Sequence, residues 1–520
     1  MRISTAQFYE ASASSYSKNF STMNKTNDQV TSGIRIQTAA DDPVGAARLL
    51  LLQQQQSLLD QYSGNINTVS NALLQEESVL STINDAMQRA SELAIRAGGP
   101  GVTDSDRVAI STELKEIEAN IFGLLNSRDA NGDYMFGGSK STTPPYVRNS
   151  DGTYSYNGDQ TQLSLQVSDT LNLATNDTGF TIFDSASNKS RTQSTLVVPA
   201  TDDGVVGVSS GLMTSSTSYN NSFTAGQPYK LTFTSATQYT ITDASGRDIT
   251  SETATNGTFD SKTEGANSIA LRGVEFEITV TVEEGADADA AVAGREFSLA
   301  ARPDSFNTTR NASNTSSAQV TSGSVTDEAA YRSTFPSNGA VIKFTGPGAY
   351  ELYAQPLTAD SKAVATGTYT APALTVAGVT YQVSGSPEAG DQFAVTANTH
   401  QNQNVLETLS QLRAALDTPV TGVGQANALK DAAASAIANL ASAREQVDIT
   451  RGSIGARGNS LEIQRQENTS LGLANKTTQN AIGNTDMSQA AITLTLQQAM
   501  LEASQLAFSR ISQLSLFNKL

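Results

Sequence analysis

Residues 52–97 read LQQQQSLLDQYSGNINTVSNALLQEESVLSTINDAMQRASELAIRA. Leu52, Leu59, Ile66, Leu73, Leu80, Met87 and Ala94 share one heptad position. Three residues further on stand Gln55, Tyr62, Val69, Glu76, Ile83, Ala90 and Ala97, and only Gln55 and Glu76 interrupt that second row. A sustained seven-residue apolar repeat predicts an α-helix whose narrow stripe packs lengthwise on another helix. No proline falls inside the repeat, and Gly98-Gly99-Pro100-Gly101 ends it. At the α-helical rise such a segment is a rod of roughly 70 Å. A rod of that length needs partner helices of similar length, from this chain or from neighbouring subunits.

Upstream, Met1 to about Ile34 reads as a helix with heptads of its own: Tyr9, Tyr16, Met23 and Val30 on one position, Ala13, Phe20, Asn27 and Ile34 on another. Alone it buries little, so conformational entropy is expected to leave it mobile in the free subunit. After a break, Asp41-Asp42-Pro43 reads as an N-cap with proline in the first turn rather than as a metal or acid–base pair. Downstream, Thr103-Asp104-Ser105-Asp106 caps a helix from Arg107 to about Ser127, with Val108, Ile110, Leu114, Ile117, Ile121 and Leu124 apolar. Asp129-Ala130-Asn131-Gly132-Asp133 resembles the opening of a calcium loop, but Tyr134 and Lys140 stand where that loop needs Gly and Glu. A hairpin turn is the better reading, with short strands at Tyr134–Phe136 and Tyr154–Tyr156.

From Asp177 to Asn398 the composition shifts to Thr, Ser, Gly and Val with period-two alternation. An internal repeat is visible. Lys230–Thr234 matches Val341–Thr345, Gly273–Ile278 matches Gly378–Val383, and Gly294–Phe297 matches Gly390–Phe393. Two small β domains follow, the first completed by strands near 180 and 205. Ser305–Thr326, rich in Asn, Ser and Thr, reads as a linker. From Asn404 the chain is helical again, with a short helix ending near Pro419 and a long one beginning near Gly424. The long helix has Ala433, Leu440, Val447, Ile454 and Leu461 seven apart. Its glycines at 452, 455 and 458 predict a kink or a close helix crossing. Asp486 with Gln489 resembles a capping box opening the last helix. There Leu494, Leu501 and Phe508 form one stripe, Met500, Ala507 and Leu514 a second, and Ile492, Ala499 and Leu506 a third. Apolar residues on several faces predict burial on several sides.

Composition narrows the function. The 520 residues carry 33 Lys and Arg against 51 Asp and Glu, a net charge of −18. That excess argues against nucleic acid or an anionic membrane as partner. There is no Cys, no Trp and a single His, which removes thiol chemistry and multi-histidine metal sites. His400 reads as a solvated loop residue. No catalytic, cofactor-binding or metal constellation emerges, so the chain is expected not to be an enzyme and to need no cofactor. Met1–Phe20 lacks the apolar core of a secretory signal, and the run Leu49–Leu52 is too short to cross a bilayer. If the protein is exported, it uses a route that reads no hydrophobic signal.

The order is helices, β domains, helices. The expected fold class is therefore α+β: long coiled-coil-like terminal helices packed together, with inserted β-rich domains. The expected division is 1–44 with 484–520 as a terminal assembly domain and 45–176 with 400–483 as a helical rod domain with a β-hairpin. Residues 177–326 and 327–399 form the two β-rich domains. Adhesive helices at both termini suit a ring or tube built by heterologous contacts. The candidate assembly interface is Tyr9, Tyr16, Phe20, Met23, Val30, Leu494, Leu501, Phe508, Leu514 and Phe517.

Several ordered elements resemble a known family: Arg2–Thr5, Gln29–Arg35, Asp41–Val44, Gln61–Ile66, Glu92–Ala94, Asp106-Arg107, Asn131–Gly138 and the ending Ser515-Leu516-Phe517. Together they resemble flagellar hook-associated protein 3, within the flagellin-like superfamily, over about 1–177 and 404–520. Gly458 departs from the bulky apolar residue usual there. The resemblance implies a structural subunit between hook and filament of the extracellular bacterial flagellum. Its implied partners are hook-associated protein 1, flagellin and an export chaperone on the C-terminal helix. It also implies flagellar type III export, without membrane insertion. A flagellin filament subunit, or a surface adhesin or coiled-coil binding protein using its β domains, are the alternatives.

Overall fold

The computed structural model describes residues 5–149, 152–262 and 267–517. Its long helices are α1 (Thr5–Ser32), α2 (Pro43–Gly98), α3 (Asp104–Leu125), α4 (Val405–Asp417), α5 (Val423–Gly483) and α6 (Met487–Phe517). The chain divides into two compact units. One holds residues 1–73, 164–175 and 455–520, the other 74–163 and 176–454.

In the first unit α1 lies along α6. The heptad seam of α2 is covered here, with Ile66 and Val69 fully buried alongside Leu461 of α5. Side-chain amides supplement the apolar seam: Asn475 Nδ2 and Gln479 Nε2 both donate to the Leu52 carbonyl, at 2.9 and 3.0 Å. A two-stranded hairpin, Ser164–Gln166 with Asn172–Ala174, is fastened to α2. Tyr62 donates to Asp169 at 2.8 Å and Asn65 to the Gln166 carbonyl at 2.7 Å. Of the aspartates before α2, Asp42 caps the helix by accepting from Gly45 N at 2.9 Å, while Asp41 ties the preceding turn by accepting from Gln37 N and Thr38 N. Lys25 and those amides hold the Asp41 carboxyl down to about 2.

In the second unit the rest of α2 packs with α3, α4 and the first part of α5. Leu80, Ile83, Met87, Ile110, Leu114, Leu409, Leu440 and Val447 are all fully buried. Thr103 and Asp106 form a reciprocal capping box at α3. Glu76, which interrupts the apolar row, is buried and accepts from the Asp177 amide at 3.2 Å. Val108, expected in the apolar row of α3, is 65% exposed. Arg107, Ser111 and Glu118 are buried in that helix instead, and Glu118 accepts from Tyr154 OH at 2.5 Å and Arg413 at 3.1 Å.

The β region of this unit contains three sheets besides the small hairpin of Tyr146–Arg148 with Tyr154–Tyr156. In one sheet Glu296–Ala301 lies between Thr192–Val198 and Tyr229–Ser235, and Gln238–Thr242 forms the far edge. In a second sheet Val274–Val280 pairs with Ser268–Leu271, Val206–Val208 and Leu212–Met213. The third has eight strands, in the order Ala363–Thr368, Ala349–Ala354, Ala340–Gly346, Gln392–Asn398, Ser305–Arg310, Gln319–Val325, Val379–Ser384, Ala373–Val376.

The sequence repeat is a structural repeat. Phe233 N donates to Arg295 O and Gly294 N to Phe233 O; Phe344 N donates to Asp391 O and Gly390 N to Phe344 O. Each module has a two-residue hairpin turn with both central φ positive, Arg272-Gly273 in one and Ala377-Gly378 in the other, the geometry that suits twisted strands. The repeat also extends further than the sequence matches. Thr214 and Ser215 N donate to Gly273 O, as Thr326 and Asp327 N do to Gly378 O.

Several expectations are corrected. Ser305–Thr326 is not a linker but carries two inner strands of the eight-stranded sheet, with Phe306 and Val320 buried. Phe180–Asp184 is a helical turn, not a strand. Tyr134–Phe136 makes one bridge, Arg128 to Tyr134, and Tyr154–Tyr156 takes a different partner. Of the kink or close crossing expected at Gly452, Gly455 and Gly458 within α5, the close crossing is absent. A methyl group added at any of the three would meet nothing within 4 Å, so no helix crosses closely there.

Candidate assembly surface

Helices α1 and α6 form the candidate surface, and the loops at their inner ends fix their pairing. Arg35 N donates to Gly483 O at 2.7 Å, and Thr485 N donates to Gly33 O at 2.9 Å. The Arg35 guanidinium adds two bonds to the Ile482 carbonyl, at 2.8 and 3.1 Å. These bonds use carbonyls that a helix end leaves open. Gly33 is at φ +72°, so the chain turns out of α1 at a position that favours glycine. Asp486 then opens α6 by accepting from Ser488 N and Gln489 N.

Of the expected interface residues, Leu501 is buried, while Tyr16, Met23, Val30, Leu494 and Phe508 are half-buried. Phe20 stacks on Tyr16 with ring centres 6.4 Å apart, yet stays 45% exposed. The side chains of Tyr9, Leu514 and Phe517 lie outside the described residues. The contact between α1 and α6 also uses residues that an apolar pattern does not reveal. Asn19 donates to Ser504 at 3.1 Å, Gln505 donates to the Tyr16 hydroxyl at 3.1 Å, and Thr26 and Ala490 are buried. Small and polar residues here let the helices approach, a signal that heptad counting discards.

The other face of α6 is open. Ile492, Leu496, Met500 and Leu506 are each at least half exposed. The first three recur every four residues and so share one face. The stripes containing Met500 and Leu506 were expected to be buried, and within this chain they are not.

His400 is not a solvated loop residue. It sits at φ +53°, half-buried, with Nε2 3.0 Å from the Pro303 carbonyl. Burial is the main cause that lowers its pKa, with the Arg302 and Arg191 charges adding to it. Among the described residues no three His, Cys, Asp or Glu side chains gather as a metal site, and no helix is long and apolar enough to cross a membrane.

Residues 3–141 match the bacterial flagellin N-terminal helical region. Flagellar hook-associated protein 3 of Salmonella typhimurium is 32% identical over 185 residues, which is 36% of this chain and 57% of that protein. The Escherichia coli protein of the same name is 30% identical over 185 residues with the same two shares. The chain thus spans little more than half the length of the curated relatives it matches. Among solved structures, flagellar hook-associated protein 3 of Legionella pneumophila is 21% identical, covering 83% of this chain and 98% of that one, with a TM-score of 0.47. The chain thus carries an N-terminal region similar to that of bacterial flagellins, and it is similar to flagellar hook-associated protein 3.

Proposed function

We propose that the chain is a structural, non-catalytic subunit of the bacterial flagellum that joins the hook to the flagellin filament. Its assembly domain comprises residues 1–44 and 484–520. The observation that carries this reading is the α1–α6 pair, which uses one face of α6 and leaves Ile492, Leu496, Met500 and Leu506 exposed on the rest. Large apolar residues repeated along one helix face are the surface that neighbouring subunits would cover. Hook-associated protein 1 on one side and flagellin on the other are the proposed neighbours. Export through the flagellar type III apparatus, with a chaperone on α6, is the proposed route to the extracellular flagellum. Tyr9, Tyr16, Phe20, Met23, Val30, Leu494, Leu501, Phe508, Leu514 and Phe517 are the proposed interface.

Replacing Leu501 or Phe508 with Asp tests this, because an unpaired charge placed in an apolar contact is costly. Each variant is expected to abolish junction formation in cells while far-ultraviolet circular dichroism still shows the folded β modules. Normal filaments in either variant would refute the reading. The match over residues 3–141 also favours a second reading, a flagellin filament subunit. Long homopolymers grown from filament seeds by the purified protein would establish that one instead.

A further inference from the structure

Two apolar stripes of the first unit stay uncovered. On α2, Val44, Leu51 and Leu58 are exposed and stand seven apart, so they share a face. On α6, Ile492, Leu496, Met500 and Leu506 make up the open face described above. The first stripe spans residues 44–58 and the second 492–506, so along their helices both are roughly 21 Å long. Exposed apolar rows of this kind mark interaction surfaces.

The charges say what covers them. Between 44 and 58 the one charged residue is Arg48, and between 492 and 506 the one charged residue is Glu502. Both side chains are exposed, and among the described residues neither makes an ion pair or a hydrogen bond. Laid against its own counterpart in a second copy, either stripe would bring like charges into one contact. Laid against the other stripe, it brings a cation to an anion, and complementarity of that kind selects partner and register. The spacing selects the orientation. Arg48 stands four residues after Val44, and Glu502 stands four residues before Leu506. With the helices antiparallel and Val44 level with Leu506, Arg48 is level with Glu502 and Leu58 with Ile492. A parallel pairing with Val44 level with Ile492 would instead set Arg48 against Leu496 and Glu502 against Gln54.

We propose that the α2 stripe of one copy of this chain receives the α6 stripe of the next copy, antiparallel, with Val44 level with Leu506. The two surfaces differ and each copy carries one of each, so the contact is heterologous and propagates into a ring or tube rather than stopping at a dimer. This inference rests on the structural-subunit reading and names the occupant of the open α6 face.

Cross-linking between introduced thiols tests it, since the chain has no cysteine of its own. Val44 is 80% exposed and Leu506 58%, so cysteine at either place leaves the core of the unit untouched. Flagella purified from cells carrying each variant in place of the unaltered chain are treated with a short bis-maleimide and run on a denaturing gel. The double variant Val44→Cys with Leu506→Cys is expected to give a ladder of dimers, trimers and larger species. Each single variant is expected to stay monomeric, as is Val44→Cys with Ile492→Cys, which reports parallel pairing. Leu58→Cys with Ile492→Cys is level in the same antiparallel register, is expected to give the same ladder, and serves where the first pair is not incorporated. Incorporation without a ladder in the antiparallel pairs, or a ladder from a single variant or from the parallel pair, would overturn the pairing and leave the subunit reading standing. Absence of the unaltered chain from purified flagella would overturn both.

Discussion

The repeated β modules and the α1–α6 pair bury their apolar residues in opposite ways. In the modules the large aromatics are shut in: Phe233, Phe276, Phe344 and Phe393 are buried, and Phe344 and Phe393 meet edge-on with ring centres 5.8 Å apart. In the helix pair Leu501 is the one expected interface residue among the described side chains that is buried. A module that closes its own core is stable without partners, whereas a helix pair that leaves half its apolar residues in water gains stability by association. The difference separates the part that closes its own core from the surface proposed to assemble.

The largest test of this contrast is inside the modules. Phe233→Ala and Phe344→Ala occupy equivalent places in the repeat, and each should cost about 3–5 kcal/mol. Chemical denaturation of each variant checks this. A loss below about 1 kcal/mol at either site would show that its module is not closed. A smaller effect comes from Asp431 on α5, which accepts from Ser210 N at 2.6 Å. The folded Asp431 carboxyl titrates near about 6, above its unfolded value. The folded state therefore holds the extra proton between the two values, and stability falls as pH rises through that window. Asp431→Asn should remove this slope and raise stability at neutral pH by about 1–3 kcal/mol, measured as thermal denaturation against pH. The smallest effect belongs to the helix pair. Asp486→Ala removes the cap of α6 and should cost about 1 kcal/mol locally. It should appear as faster amide exchange in the first turn of α6 with no change in the modules.

The contrast also explains what could be read from the chain. The heptads of α2 were legible because a helix stripe is a local pattern, and Ile66, Val69, Leu80 and Ile83 are buried as their spacing requires. The β repeat was legible because its glycine turns recur with their aromatic partners. Ser305–Thr326 was not, because its strands have few apolar residues and take partners from Val379–Ser384 and Gln392–Asn398, far along the chain. His400 was misread for the same reason, since its partner Pro303 lies 97 positions away. Of the candidate surface, the large apolar residues were legible. Asn19, Thr26, Ala490 and Ser504 were not, because small and polar side chains signal contact only once the partner helix is in place.

The bonds between Gly33–Arg35 and Ile482–Thr485 have a temporal consequence. Partners more than 440 positions apart must meet before either loop is satisfied, so this closure belongs among the slow, non-local steps of folding. A chain emerging from its N-terminus carries Arg35 long before Gly483. A chain that stops short of Gly483 can complete its β modules yet never clasp α1 to α6, so the clasp acts as an inspection of length, closed only once synthesis has passed Thr485.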